Sequence, residues 1–179
     1  DNPLVKKSDN WLSDTPLKTA IFSYGHRNPQ GMTIHPETGE IWEHEHGPQG
    51  GDEINIIKKG DNYGWPEITY GINYSGTIIT NKTSAPNMTQ PFYYWIPSIA
   101  PSGMAFSTSN IYEGWKDNLF VGSLKFQYLE RLVIENEKVV KREKILNNIG
   151  RVRNVVEGPD GYLYLGIEGK GIVKIIPKK

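Results

Sequence analysis

The sequence contains no cysteine. That excludes disulfides, thiolate nucleophiles and every cysteine-ligated zinc site, and it leaves metal chemistry to histidine and oxygen donors. The chain has no charge excess either: Lys+Arg and Asp+Glu number 20 each. The lysines are scattered rather than gathered into a stripe. Nucleic-acid binders usually show a basic excess, so no nucleic-acid partner is expected. No apolar run approaches the ~18 residues of a membrane-spanning helix. The N-terminus, DNPLVKKSDNW, is polar, carries no signal-peptide core and does not begin with Met, so a processed or trimmed piece of a longer chain is expected. Helical periodicity is scarce as well, since no segment sustains apolar residues at i, i+3, i+4 and i+7.

What is present points to strands. The 179 residues are 37% hydrophobic, enough for one packed domain rather than a disordered chain. Short alternating or apolar stretches bounded by Gly, Pro, Asn or Asp predict strands at 17–23, 31–35, 40–45, 53–58, 103–107, 118–124, 128–134, 138–146, 152–157, 161–167 and 171–176. HPETGEIWEHEHG, EGWKDNLFVGSLK and EGPDGYLYLGIEG share one form: a polar turn, then an apolar–aromatic strand that ends in Gly or a charge. Four-stranded units of roughly 40–50 residues are the mark of propeller blades, and this length holds roughly three to four of them. The expected fold is all-β, a partial ring of propeller blades. Residues 70–92, rich in Asn, Thr and Ser, interrupt the pattern and read as an excursion loop. Its sequons at Asn73, Asn81 and Asn87 are expected by chance in such a composition.

Three clusters carry polar chemistry. In EHEHGPQGGDE, residues 43–53, strand alternation sets Trp42, His44 and His46 on one side and Glu43 and Glu45 on the other. The pair of histidines admits a zinc or copper site, Asp52-Glu53 admits calcium, and a solvated turn is the plain alternative. Gly47-Pro48 drives the chain out of the sheet and frees its carbonyls, because proline has no N–H for a ladder. The string YGHRNPQG places His26, Arg27, Asn28 and Gln30 at a strand end, where the Arg fork suits an oxygen-rich planar ligand. Arg151 and Arg153, at i and i+2, share a strand face. On a solvent face they are ordinary, and on a propeller channel they form an anion-binding wall that Lys125 can join.

In this order, YGHRNPQG, EHGPQGGDEINIIKKGDNYGWP, PSIAPSGMAF, LFVGSLK and GRVRNVVEGPDGYLYLGIEG closely resemble the soluble quinoprotein aldose sugar dehydrogenases. This is the glucose/sorbosone dehydrogenase family, which uses pyrroloquinoline quinone (PQQ). The resemblance implies that residues 1–179 are the C-terminal part, about three blades, of a six-bladed β-propeller. It implies oxidation of aldose sugars at C1 to lactones, with PQQ and Ca²⁺ as cofactors. Arg27, Asn28, Gln30, His46, Lys125, Arg151 and Arg153 match the PQQ site. Gly47 and Pro48 match the carbonyls that bind the calcium touching PQQ. Asp52, Glu53 and Tyr63 match a region that holds a second calcium in relatives, and Tyr93 and Ser98 match the substrate side. Family members work in the periplasm or outside the cell and pass electrons to an artificial or membrane acceptor.

One departure stands out. The family's general-base histidine belongs to an earlier blade, and none of His26, His35, His44 and His46 lies in that motif. The chain is therefore expected to be inactive alone and to associate with a missing N-terminal half or with a second copy. The alternative is a non-catalytic fragment that binds carbohydrate or protein.

Overall fold

The computed structural model describes residues 21–178, and every regular element among them is a strand. The strands are β1 (Pro29–Ile34), β2 (Ile41–Glu45), β3 (Asp52–Ile57), β4 (Tyr93–Trp95), β5 (Pro101–Phe106), β6 (Leu119–Ser123), β7 (Leu129–Glu135), β8 (Lys138–Ile145), β9 (Val152–Glu157), β10 (Leu163–Ile167) and β11 (Gly171–Lys174). They form three meandering antiparallel sheets, β1-β2-β3-β4, β5-β6-β7-β8 and β9-β10-β11. The all-β expectation holds. The predicted strand at 17–23 lies largely outside the described residues. Each of the three repeated motifs delivers the second strand of a sheet: β2, β6 and β10.

Strand β4 was not anticipated. Its three residues sit between Pro91 and the Ile96-Pro97 dipeptide, too short a window for a period-2 pattern to show. Between β3 and β4, residues 70–92 hold turns and bends, and one isolated bridge pairs Gln49 with Ile72.

The middle sheet is apolar on both faces because another sheet packs on each. Alternation along β5 and β6 sends Met104, Phe106, Leu119 and Val121 into one core with Trp42, Ile54 and Trp95 of the first sheet. The opposite side chains, Ala105 and Phe120, join Val152, Val155, Leu163 and Leu165 of the third sheet in a second core. This explains why β5 and β6 are buried at every position. The first strands β1, β5 and β9 are neighbours. At Gly103 (φ +65°), an added Cβ would lie 2.6 Å from the Cα of Asn154, so the β5–β9 approach requires glycine.

Candidate cofactor and metal site

The GPQGG turn that leaves β2 is held from three directions. Arg27 Nη1 donates to the carbonyl oxygens of both His46 and Gly47 at 2.9 Å. Asp52 accepts the N–H of Gly47 on one carboxylate oxygen (3.0 Å) and the N–H of Ala100 on the other (2.8 Å). Ser98 Oγ donates to Pro48 O at a long 3.4 Å. A Cβ on Gly47 would lie 2.1 Å from Gly51 O, so the turn closes only with glycine there. His46 Nε2 lies 2.7 Å from Pro101 O. A carbonyl only accepts, so Nε2 carries the proton.

Above this turn is a cavity of about 600 Å³, lined among others by His46, Gly47, Pro48, Asp52, Ser98, Lys125 and Arg151. Seven residues singled out in the sequence therefore meet, although they come from the ends of four different strands and two loops. Lys125 reaches the cavity because its N–H, following β6, donates to Ile99 O. Arg151 and Arg153 share one counter-ion, Glu168, with Arg153 Nε at 2.8 Å and Arg151 Nε at 3.3 Å from Glu168 Oε2. Arg153 and Gln30 line a second cavity of about 710 Å³ along β1, β5 and β9. Asn28, which lines neither cavity, accepts on Oδ1 from Gln30 Nε2 at 2.8 Å.

Other predicted residues lie elsewhere. Asp52 and Glu53, grouped with Tyr63 around one calcium by the sequence, do not share a site. Alternation on β3 turns Asp52 to the GPQGG turn and Glu53 to the opposite face, where it lines a narrow pocket with Arg27, Glu45 and Tyr63. Tyr63 Oη donates to Ile56 O (2.6 Å) and accepts Lys58 N–H (2.9 Å), which makes the side chain a brace. Tyr93 is not at the cavity. It is half-buried, packs on the first core and lies beneath Arg142, whose Cζ is 5.5 Å from its ring.

The sequence reading gave no role to the acidic face of β2, which the fold buries. Glu43 and Glu45 are 2% and 4% exposed. Across the β2–β3 ladder, Glu43 is paired with Asn55 and Glu45 with Glu53, and all four side chains share one face. His26 closes the cluster: its Nδ1 is 3.5 Å from Glu45 and 4.0 Å from Glu43, while its ring stacks on Tyr63 at 4.5 Å. Ligand atoms of His26, Glu43 and Glu45 all lie within 4.8 Å of one another. Glu45 Oε2 also accepts the backbone N–H groups of Arg27 and Asn28, which ties the cluster to the GPQGG turn. Three buried atoms here have no hydrogen-bond partner: Glu43 Oε1, Asn55 Oδ1 and His26 Nδ1. Burial, reinforced by the charge of Glu45, pushes Glu43 up to about 9 and Glu53 up to about 8. Oxygen donors without partners, in a pocket that resists uncompensated negative charge, form a donor set suited to a hard divalent cation.

Tyr74, Gln49 and Pro97 also line the main cavity and were not anticipated. Tyr74 is 75% exposed and belongs to the polar 70–92 segment, where a lone aromatic was the available signal.

These features define an all-β scaffold with a cavity at its strand ends where cationic side chains meet a turn of backbone carbonyls. Residues 1–174 match the Glucose / Sorbosone dehydrogenase family, and the chain belongs to that family. It is 44% identical to the aldose sugar dehydrogenase YliI of Escherichia coli K12, over 99% of this chain and 47% of that protein. A crystal structure of a glucose dehydrogenase superposes with a TM-score of 0.86 at 44% identity, covering 97% of this chain and 52% of the other. The PQQ-bound aldose sugar dehydrogenase of Streptomyces coelicolor superposes at 0.65 with 26% identity, covering 90% of this chain and 46% of that one. Its solved neighbours include PQQ-dependent propeller dehydrogenases, so the fold is of the β-propeller class. The chain spans less than half the length of these curated relatives: 47% of the Escherichia coli protein and 40% of one from Synechocystis.

Proposed function

We propose that this chain supplies the greater part of a PQQ and Ca²⁺ site in an enzyme that oxidises aldose sugars at C1 to lactones. The observation that carries this reading is the meeting of Lys125, Arg151, Gly47, Pro48 and Ser98 around one cavity. When bound, PQQ supplies the oxidising quinone and calcium supplies Lewis acidity. Lys125 and Arg151 would hold the carboxylates of the cofactor by charge-assisted hydrogen bonds, with Arg153, Asn28 and Gln30 on the channel side. The Gly47 and Pro48 carbonyls would hold the adjacent calcium, and Arg27 fixes their direction. The acidic face of β2 and β3 would hold a second, structural calcium through Glu53, with Glu45 and Glu43 beside it.

A base for the sugar hydroxyl is assigned to a residue outside this chain. His44 is fully buried, and His46 commits its Nε2 proton to Pro101. His35 packs between Trp42 and Phe106, and His26 belongs to the acidic cluster. The reading places the complete enzyme in the periplasm or outside the cell, where it would pass electrons to a dye or membrane acceptor.

Titration of the purified chain with PQQ in Ca²⁺ and in chelator tests this. Calcium-dependent binding without sugar-driven dye reduction is expected. A folded chain that ignores PQQ would refute the reading and favour a carbohydrate- or protein-binding fragment. Dye reduction by the chain alone would refute the assignment of the base.

A further inference from the structure

Glu168 is the shared counter-ion of Arg151 and Arg153, the two arginines that line the cavities. It follows β10 directly, and its N–H donates to Arg151 O at 3.0 Å, which fixes the β10–β11 turn against the start of β9. One oxygen, Oε2, accepts from both Nε (2.8 Å) and Nη2 of Arg153 and lies 3.3 Å from Arg151 Nε. Among the described residues, Arg151 and Arg153 have no other ion pair, and Lys125 has none. Arg151, Arg153 and Glu168 are each about half exposed, so water and ligand both reach them.

We infer that Glu168 is a resident counter-ion that sets the affinity of this site for a carboxylate-bearing ligand. The inference rests on the reading of the cavity as the PQQ site. Two guanidinium groups at i and i+2 on one face repel each other, and Glu168 neutralises one of them. Its shared oxygen occupies the point on which both Arg side chains converge. A ligand carboxylate binding there must displace that oxygen, because two carboxylates in contact repel at short range. The protein thus keeps its anion-binding guanidiniums aligned before a ligand binds, at the cost of a competition that every anionic ligand must win.

Glu168→Gln removes the competing charge and keeps an acceptor for the guanidiniums; Glu168→Ala removes both. Each variant is titrated with PQQ at fixed Ca²⁺, by quinone absorbance and tryptophan quenching, at low and moderate salt. Thermal unfolding confirms that each is folded. Both variants are expected to bind PQQ about tenfold more tightly than the parent, the scale of one partly screened unit charge at contact. Their affinity should also fall more steeply with salt, since one more cation is left uncompensated. Arg153→Gln, the opposite change, should weaken binding. If the parent binds PQQ and neither Glu168 variant binds more tightly, the inference is wrong. Weakening by Ala with no change by Gln would also overturn it, by showing that Glu168 merely positions the guanidiniums. A parent chain that binds no PQQ defeats the proposed function, and this inference with it.

Discussion

His44 shows how one residue can carry a pH dependence without any part in binding. Its ring is fully buried beneath β1, both nitrogens lack partners, and a Cβ on Gly31 would lie 2.6 Å from Nε2. Burial, with a smaller contribution from His46, lowers its pKa from 6.5 to about 3. The folded state therefore keeps His44 neutral, whereas the unfolded chain takes up a proton below 6.5. This stabilisation is complete above pH 6.5 and drains away as the pH falls towards 3. From pH 7 to pH 4 the denaturant midpoint of the parent should fall relative to that of His44→Leu, which cannot titrate. Parallel slopes for parent and variant would show that His44 does not contribute.

At the scale of the element, β2 and β3 form a device that works in the opposite direction. Glu43 and Glu53 have folded pKa values raised from 4.5 to about 9 and about 8. An acid raised by folding stabilises the protein below its unfolded pKa and ceases to do so as pH climbs through the folded value. Cation-free protein should thus melt at lower temperature as pH rises from about 5 to 9, and excess Ca²⁺ should raise the melting point by an amount that grows with pH. Melting curves with calcium and with chelator, pH by pH, check this. A calcium effect that is absent or constant with pH would count against cation binding at this face. The strand pattern itself was largely legible, because period-2 alternation and turn residues are local signals. Lys125, Arg151, Gly47 and Pro48 were legible through long motifs. The burial of Glu43 and Glu45 was not. Alternating acids on a strand normally mark a wet face, and only their cross-strand partner Asn55, 10 residues from Glu45 and 12 from Glu43 in sequence, reveals otherwise. The separation of Asp52 from Glu53 was available from alternation alone, but motif matching grouped them.

For the whole molecule, the cavity along β1, β5 and β9 leaves Met32, Ile34 and Val156 exposed at 70%, 57% and 48%. Apolar side chains so placed on the first strands of sheets favour a partner, and open sheet edges add to that pressure. The partner this face is expected to take is a second copy of the chain. Native mass measurement of the chain should find a dimer at micromolar concentration. A strict monomer would count against self-association through this face.

The middle sheet, gripped on both faces by its neighbours, has a consequence for the order in which the molecule comes apart. Backbone amides of β5, β6 and β7 can open to solvent only when two cores separate together, whereas those of β11 are released by the loss of one. In deuterium exchange, amides of β5 to β7 should be the last to exchange, at a rate that reports global unfolding. Those of β11, where Ile172 is 76% exposed, should exchange first. A β11 that exchanges as slowly as β6 would mean that the three sheets open as one cooperative unit.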